Sequence, residues 1–198
     1  MERNYMNNPV EIKIGGFGGQ GVILAGMIIG KAASIYDNKY ATLIQSFGPE
    51  ARGSACSAQL IVSPSKILYP YVTRPSILMV MSQEAFTKFS PELADDGLLL
   101  IEEDLVNATN LKPGVKLYGI PATRFAEELG RRLVLNIVMV GFFAAVTNLV
   151  SVDAFRKAVA DSVPKGTENL NLQAFEKGYV FGLNLSKTGS TVQQQPVT

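Results

Sequence analysis

Residues 10–30 read VEIKIGGFGGQGVILAGMIIG, and this stretch decides the fold. Residues 10–14 form a short run that predicts a strand, and residues 20–36 are apolar nearly all round and predict a covered helix. Between them, five of the seven residues 15–21 are glycine. Because glycine weakens both strands and helices, such a cluster implies positive φ or a close approach of the backbone to another group. The stretch therefore predicts a strand, a tight turn and a helix.

Three of these glycines, Gly16, Gly18 and Gly21, have the spacing G-x-G-x-x-G between a strand and a helix. The free N–H groups and the dipole at such a helix start suit an anion. A dinucleotide site also needs an acid about 20 residues further on to hold the ribose. The second predicted strand, residues 40–45, ends in Gln45 without one, and the turn lacks the Lys-Ser/Thr ending of an ATPase loop. NAD and ATP are both disfavoured, and the interpretation that the glycines only permit tight strand–helix packing stays open.

Composition excludes several classes of function. The 198 residues carry 18 basic and 17 acidic side chains without a basic patch, so nucleic-acid binding is not expected. There is no histidine and a single cysteine, Cys56, which excludes a histidine-based catalytic triad and an iron–sulfur cluster held by this chain alone. We therefore predict no catalytic residue and no metal ligand in this chain.

The most apolar stretch is residues 133–150, which falls slightly short of the ~20 residues that cross a bilayer and contains Asn136. It predicts a buried central helix, in which Asn136 satisfies a backbone group beneath the glycine turn. The N-terminal residues 1–9 are polar and do not resemble a signal peptide. A cytoplasmic protein without membrane contact is expected.

Apolar strands alternate with helices along the chain, which is typical of an α/β fold with a parallel sheet covered by helices on both faces. Loops 15–21 and 46–55 follow the first two strands, so we expect them to be neighbours at one edge of the sheet. A single domain over residues 9–185 is predicted, with flexible termini at 1–8 and 186–198. The predicted strands are 10–14, 40–45, 57–63, 77–81, 98–101 and 115–119, and the predicted helices are 20–36, a short one from 83, 123–129, 133–150, 152–161 and about 170–183.

The loop after the second strand reads SFGPEARG over residues 46–53. By itself it offers a guanidinium suited to carboxylate or phosphate, although Glu50 and Arg52 could equally form a solvated pair. Combined with GFGGQG at 16–21, it resembles the gamma subunit of 2-oxoacid:ferredoxin oxidoreductases. The resemblance covers roughly residues 9–183 and is greatest to free-standing gamma subunits of the 2-oxoglutarate (2-ketoglutarate) enzyme. It extends to SQEA (82–85), PAT (121–123), Asn136, VPKGT (163–167) and NLQAFEKGY (171–179).

The resemblance implies a Rossmann-like domain that corresponds to domain III of pyruvate-ferredoxin oxidoreductase. The complex would oxidatively decarboxylate a 2-oxoacid with coenzyme A, giving acyl-CoA, carbon dioxide and reduced ferredoxin. Thiamine diphosphate and Mg²⁺ would lie on alpha and beta subunits, and iron–sulfur clusters on the beta subunit and a delta subunit. This chain would bind none of them itself. Its apolar contact surface favours a homodimer when the chain is isolated.

The resemblance also implies one surface that faces the partner subunits, and contact of that surface with coenzyme A is a separate hypothesis. One departure is Ser54, where the family often has a second glycine after the arginine. Two alternatives remain open, namely a stand-alone nucleotide-binding Rossmann-type oxidoreductase and a purely structural assembly subunit. The residues of the candidate surface are Gly16, Gly18, Gly19, Gln20, Gly21, Ser46, Gly48, Pro49, Glu50 and Arg52.

Overall fold

The computed structural model describes residues 8–46 and 55–188. Within these ranges a central sheet is combined with six α-helices. The strands are β1 (Val10–Gly16), β2 (Tyr40–Ser46), β3 (Cys56–Ser63), β4 (Ile77–Val80), β5 (Leu98–Glu102) and β6 (Lys116–Ile120). The helices are α1 (Val22–Tyr36), α2 (Gln83–Phe89), α3 (Ala122–Glu128), α4 (Leu135–Thr147), α5 (Val152–Ala160) and α6 (Glu168–Thr188).

The sheet has the order β2-β3-β1-β4-β5-β6, and its β1-β4-β5-β6 part is parallel. The predicted mostly parallel α/β sheet is therefore confirmed. β3 is an exception to the parallel arrangement: it runs antiparallel to both β1 and β2. The reason is the short connection: only residues 47–55 separate β2 from β3, whereas a parallel crossover needs about a dozen residues or more.

Helices cover both faces of the sheet, as predicted. On one face, α1, α4 and α5 bury a continuous apolar core with the sheet, in which Ile28, Phe142 and Phe155 are fully buried. On the other face, α2 packs Phe86 and Phe89 against β4 and β5. The layer formed by α1, α4 and α5 is the one that extends to the turn after β1.

The central helix α4 is buried along nearly its whole length and packs against α6 at backbone distance. A Cβ on Gly141 would overlap the Phe175 carbonyl oxygen, and a Cβ on Gly178 would overlap the Val138 carbonyl oxygen. The prediction of a buried helix is confirmed, but the helix is shorter than residues 133–150. A 3₁₀ turn precedes it, and Asn148, with φ of 47°, ends it in the left-handed conformation.

Two other predicted boundaries were wrong. α1 begins at Val22 rather than at residue 20, because Gly21 has φ of 73° and cannot belong to the helix. α6 runs from Glu168 to Thr188, beyond the predicted bounds of about 170–183 at both ends. Residues 1–7 and 189–198 lie outside the described residues. In the part of the chain that is described, none of the helices has the length and apolar character needed to cross a bilayer.

We predict that Gly141→Ala lowers the free energy of unfolding by about 1–3 kcal/mol or more, because the new methyl group forces α4 and α6 apart. Urea unfolding of the two proteins measures the change.

Gly30→Ala is the matched control, since a Cβ on this α1 residue meets its nearest neighbour, Leu60, at an ordinary 3.7 Å. Its stability should be unchanged or raised by up to about 1 kcal/mol, because alanine favours a helix interior. Equal stability of the Gly141→Ala and Gly30→Ala proteins would contradict the role of the glycine contact.

Candidate functional site

The glycine turn lies at the carboxyl edge of the sheet, where the order of the strands changes direction. From β1 the chain passes through α1 to β2 on one side, whereas β4, β5 and β6 lie on the other. Ligands of open α/β sheets bind in the crevice at this point. The candidate residues 16–21 are therefore at the position where the fold most readily holds a ligand or partner.

The Gln20 side chain spans this crevice. Its Oε1 accepts a hydrogen bond from the Phe17 N–H at 2.7 Å, and its Nε2 donates to the Met81 carbonyl oxygen at 2.8 Å. The Gln20 N–H donates to the Phe17 carbonyl oxygen at 3.1 Å, which closes the turn on itself. Gln20 thus fixes the turn after β1 to the residue that follows β4.

Gly21 is held from beneath by the central helix. The Asn136 Nδ2 donates to the Gly21 carbonyl oxygen at 3.2 Å, which confirms the role expected of this buried amide. Gly21 needs to be glycine for two reasons: its φ is 73°, and a Cβ would approach the Asn136 Cγ to 2.7 Å. The start of α1 is thereby positioned by α4.

The remaining glycines of the turn differ in the structural reason for having no side chain. A Cβ on Gly16 would meet the Gln20 Oε1 at 2.8 Å, so Gly16 makes room for the Gln20 side chain. Gly19 has φ of 92°. Gly18 has neither a positive φ nor any atom of the described residues within 4 Å of a Cβ. The described part of the chain therefore gives no reason for glycine at position 18.

The second predicted loop follows β2 at the same edge. Ser46 pairs with Ser57, and Gly16 pairs with Cys56, so the ends of β1 and β2 face the same way. β3 lies between the two strands, and residues 47–54 of the second loop lie outside the described residues, so that the two loops are neighbours stays a prediction. Four candidate residues, Gly48, Pro49, Glu50 and Arg52, lie outside the described residues.

Cys56 lies at the start of β3 beside Gly16 and is half-buried. Burial raises the pKa of its thiol above the ordinary value. The thiolate is the reactive form of cysteine, so this shift makes Cys56 a weaker nucleophile at neutral pH.

Sequence reasoning missed a buried carboxyl group at the same edge. Glu102, the last residue of β5, is fully buried, and its Oε1 accepts a hydrogen bond from the Thr123 N–H at 3.1 Å. The signal was the sequence LLLIEED over residues 98–104, in which an acid directly continues an apolar strand. Among the described residues no group of acidic, cysteine or histidine side chains is placed to hold a metal ion.

A shallow groove of about 830 Å³ runs between α3 and α6. Its floor is apolar, and polar side chains such as Glu176 and Lys177 border it. The apolar residues of this α3–α6 groove are Phe125, Leu129, Leu172, Val180 and Phe181.

Residues 11–181 match the family of pyruvate ferredoxin/flavodoxin oxidoreductases. The chain is 48% identical to the 2-oxoglutarate synthase subunit KorC of Methanocaldococcus jannaschii, over 90% of this chain and 97% of that protein. It is 31% identical to the ketoisovalerate oxidoreductase subunit VorA of Methanothermobacter thermautotrophicus, over 85% of this chain but only 35% of that protein. The gamma subunit of a keto/oxoacid ferredoxin oxidoreductase from Geobacter sulfurreducens PCA superposes with a TM-score of 0.77 at 40% identity, over 88% of this chain and 99% of that one.

We predict that Gln20→Glu lowers the free energy of unfolding by about 1–3 kcal/mol at pH 8, because a carboxylate cannot donate to the Met81 carbonyl oxygen. The loss should shrink at acid pH, where the protonated carboxyl group donates again. Thermal unfolding between pH 4 and pH 8 measures both effects.

Gln173→Glu provides the control, since this exposed α6 side chain undergoes the same chemical change away from the turn. If Gln20→Glu and Gln173→Glu had the same stability at every pH, the contact between Gln20 and Met81 would have no structural role.

Proposed function

Since this chain belongs to the pyruvate ferredoxin/flavodoxin oxidoreductase family, we propose that it is the gamma subunit of a 2-oxoglutarate:ferredoxin oxidoreductase. The relative that it matches over 97% of its length is named a 2-oxoglutarate synthase subunit, which supports this substrate over pyruvate or a branched 2-oxoacid. The complex would convert the 2-oxoacid and coenzyme A into acyl-CoA and carbon dioxide while reducing ferredoxin.

In this proposal the redox chemistry belongs to partner subunits. Thiamine diphosphate and Mg²⁺ are assigned to alpha and beta subunits, and iron–sulfur clusters to beta and delta-type subunits. This chain has no histidine and one cysteine, so it has few groups for acid–base or cluster chemistry. Its contribution is to bind and orient the subunits that carry the cofactors.

The main support for placing the turn in a contact surface is Gly18, for which the described residues give no structural reason. A glycine that the described residues do not explain is accounted for if a partner backbone approaches it closely. Phe17, which is 38% exposed beside it, offers an apolar anchor of the kind enriched in protein interfaces. The N–H groups of Phe17 and Gln20 already have partners inside the turn, which favours a protein over an anion at this point.

Contact with coenzyme A is a second, finer part of the proposal. The start of the 15-residue helix α1 and the guanidinium of Arg52 are both suited to the phosphates of coenzyme A. A stand-alone NAD enzyme has less support, because the strand after α1 lacks the ribose-binding acid and Gln20 spans the crevice that the dinucleotide would need.

Purification from the native host under anaerobic conditions tests the proposed function. A tagged form of this chain is isolated, and the eluate is assayed for coenzyme A-dependent viologen reduction with 2-oxoglutarate, pyruvate and a branched 2-oxoacid. We expect larger subunits to co-purify and activity to be highest with 2-oxoglutarate. Activity highest with another oxoacid would overturn the substrate, and a chain that elutes alone without activity would overturn the subunit role.

We predict that Gly18→Leu leaves the thermal stability of the isolated chain unchanged but weakens its binding to the partner subunits about fivefold or more, or about 1–3 kcal/mol. The physical reason is that the added side chain meets no atom of the described residues and has no space at the contact. Unfolding of the isolated chain and titration into the remaining subunits measure the two effects. Gly30→Ala on α1 serves as the control: it should leave binding to the partner subunits unchanged, and the stability of the isolated chain unchanged or slightly raised.

Unchanged assembly of the Gly18→Leu protein would exclude the turn from the contact surface and favour glycines that serve packing only. Arg52→Ala tests the proposed contact with coenzyme A separately: this change should raise the KM for coenzyme A in the assembled enzyme. If both the KM and the assembly were unchanged, Arg52 would have neither role.

A further inference from the structure

β2 is an edge strand that lacks the features that usually protect the edge of a sheet. Among the described residues it pairs on one side only, with β3. Its sequence, YATLIQS, contains no charged residue, no proline and no glycine. The strand at the opposite edge, β6, is shorter and begins with Lys116. Because an uncharged edge strand of this length presents unpaired N–H and C=O groups, β2 is suited to pair with a further strand.

A loop fixed to the sheet lies beside this edge, on the face opposite α1. It is held at both ends of one row of the register, in which Thr42 of β2, Ile61 of β3 and Glu11 of β1 are neighbours. The Thr42 Oγ1 donates to the Pro70 carbonyl oxygen at 3.5 Å. The Glu11 Oε2 accepts the Thr73 N–H at 2.8 Å, and Ile61 between these two contacts is buried. The loop therefore has a defined position, with Pro70 next to the edge strand.

The loop exposes large apolar side chains next to β2. Tyr69 and Tyr71 flank Pro70, and their ring centroids are 5.4 Å apart. Leu68 is 87% exposed, and Tyr40, at the start of β2, is exposed on the same face of the strand as Thr42. Large apolar side chains that are exposed together in this way mark an interaction site.

The α1 side of the same edge is apolar as well. α1 lies over β2, since a Cβ on Gly26 would meet the Leu43 Cδ1 at 3.2 Å. The one charged residue of α1, Lys31, pairs with Asp161 of its own chain at 3.0 Å. A helix that is apolar nearly all round is normally covered on every side, yet one face of α1 is only partly covered by the described residues. The residues of this outer face of α1 are Ile23, Met27, Gly30 and Ser34.

We propose that β2 pairs antiparallel with β2 of a second copy of this chain, which joins the two sheets across a two-fold axis at Leu43. Pairing centred there places Leu43 against its own copy and Thr42 against Ile44. The alternation of side chains continues across the axis, so the two α1 helices meet on one face and the two loops on the other. A second copy is the occupant that fits, because β2, the outer face of α1 and residues 68–71 are all uncharged and each meets its own apolar counterpart.

The surface is large enough for a stable dimer. Such an interface buries about 800 Å² on each partner. An aromatic side chain contributes about 150–250 Å² when it is fully covered. Tyr40, Tyr69 and Tyr71 are each just over half exposed, so they supply roughly a third of the area, and Leu68, the strand edge and α1 supply the rest. The two-fold pairing is independent of the subunit role proposed above, because it does not use the glycine turn.

Analytical ultracentrifugation of the isolated full chain, over a range of concentrations, tests the pairing with a charge at the axis. Met27 is exposed and follows Gly26, which lies over Leu43, so its copy is close across the axis. We expect Met27→Lys to raise the dissociation constant of the dimer about tenfold or more, because two like charges then face each other. Met27→Glu should have the same effect. An equal mixture of the two variants should dimerise again, because opposite charges then meet.

Val180→Lys on α6 is the matched control, since it places the same charge on an exposed apolar residue outside this surface, and it should dimerise like the native chain. Hydrogen exchange of the native chain gives a second measurement. Alternate amide groups of β2 point away from β3, and they should become protected as the concentration of the chain rises. A native chain that is monomeric at every concentration would overturn the proposal. So would a dimer that Val180→Lys disrupts and Met27→Lys does not, or a mixture of the two Met27 variants that stays monomeric.

Discussion

The backbone contact between α4 and α6 is the constraint on which the rest of the structure depends. Gly141 and Gly178 permit it, because any side chain at either position would overlap a carbonyl oxygen of the facing helix. This contact fixes the position of α4 in the core, and α6 covers α4 on its outer side. From that depth Asn136 reaches the Gly21 carbonyl oxygen and determines where α1 begins. The position of the candidate site is therefore set by a helix pair that contributes no residue to its surface.

The glycine turn combines two kinds of requirement in one short motif. Gly16 and Gly21 are required by the chain itself, one to admit the Gln20 side chain and one for its left-handed backbone beneath Asn136. Gly18 has no such requirement among the described residues. The same sequence pattern that elsewhere lets a pyrophosphate approach a helix start is here closed by Gln20 from within. On the outer side, no atom of the described residues lies close to the position of a Cβ on Gly18.

Two buried charged residues of the sheet illustrate how differently such a group can be accommodated. Lys13 in β1 is 6% exposed, its Nζ lies 2.5 Å from the Glu92 Oε2, and the Phe89 ring packs beneath it at 4.3 Å. The Glu92 carboxylate beside it offsets the cost of burying the ammonium group. Glu102 in β5 is fully buried without a cationic partner among the described residues, and burial raises the pKa of its carboxyl group above the ordinary value.

The sequence by itself determined the α/β class, the six strands and the strand–turn–helix at the amino end, because apolar periodicity and glycine clusters are local signals. The family came from the resemblance carried by GFGGQG together with SFGPEARG. Only the tertiary structure decided that β3 runs antiparallel, that Glu102 is buried and that Gly18 differs from Gly21. Each of these depends on residues far apart in the chain, as in the bond between Asn136 and Gly21, which lie 115 positions apart. A pattern of residue types records what each segment prefers, whereas the neighbours that a side chain meets are fixed only when those segments are packed together.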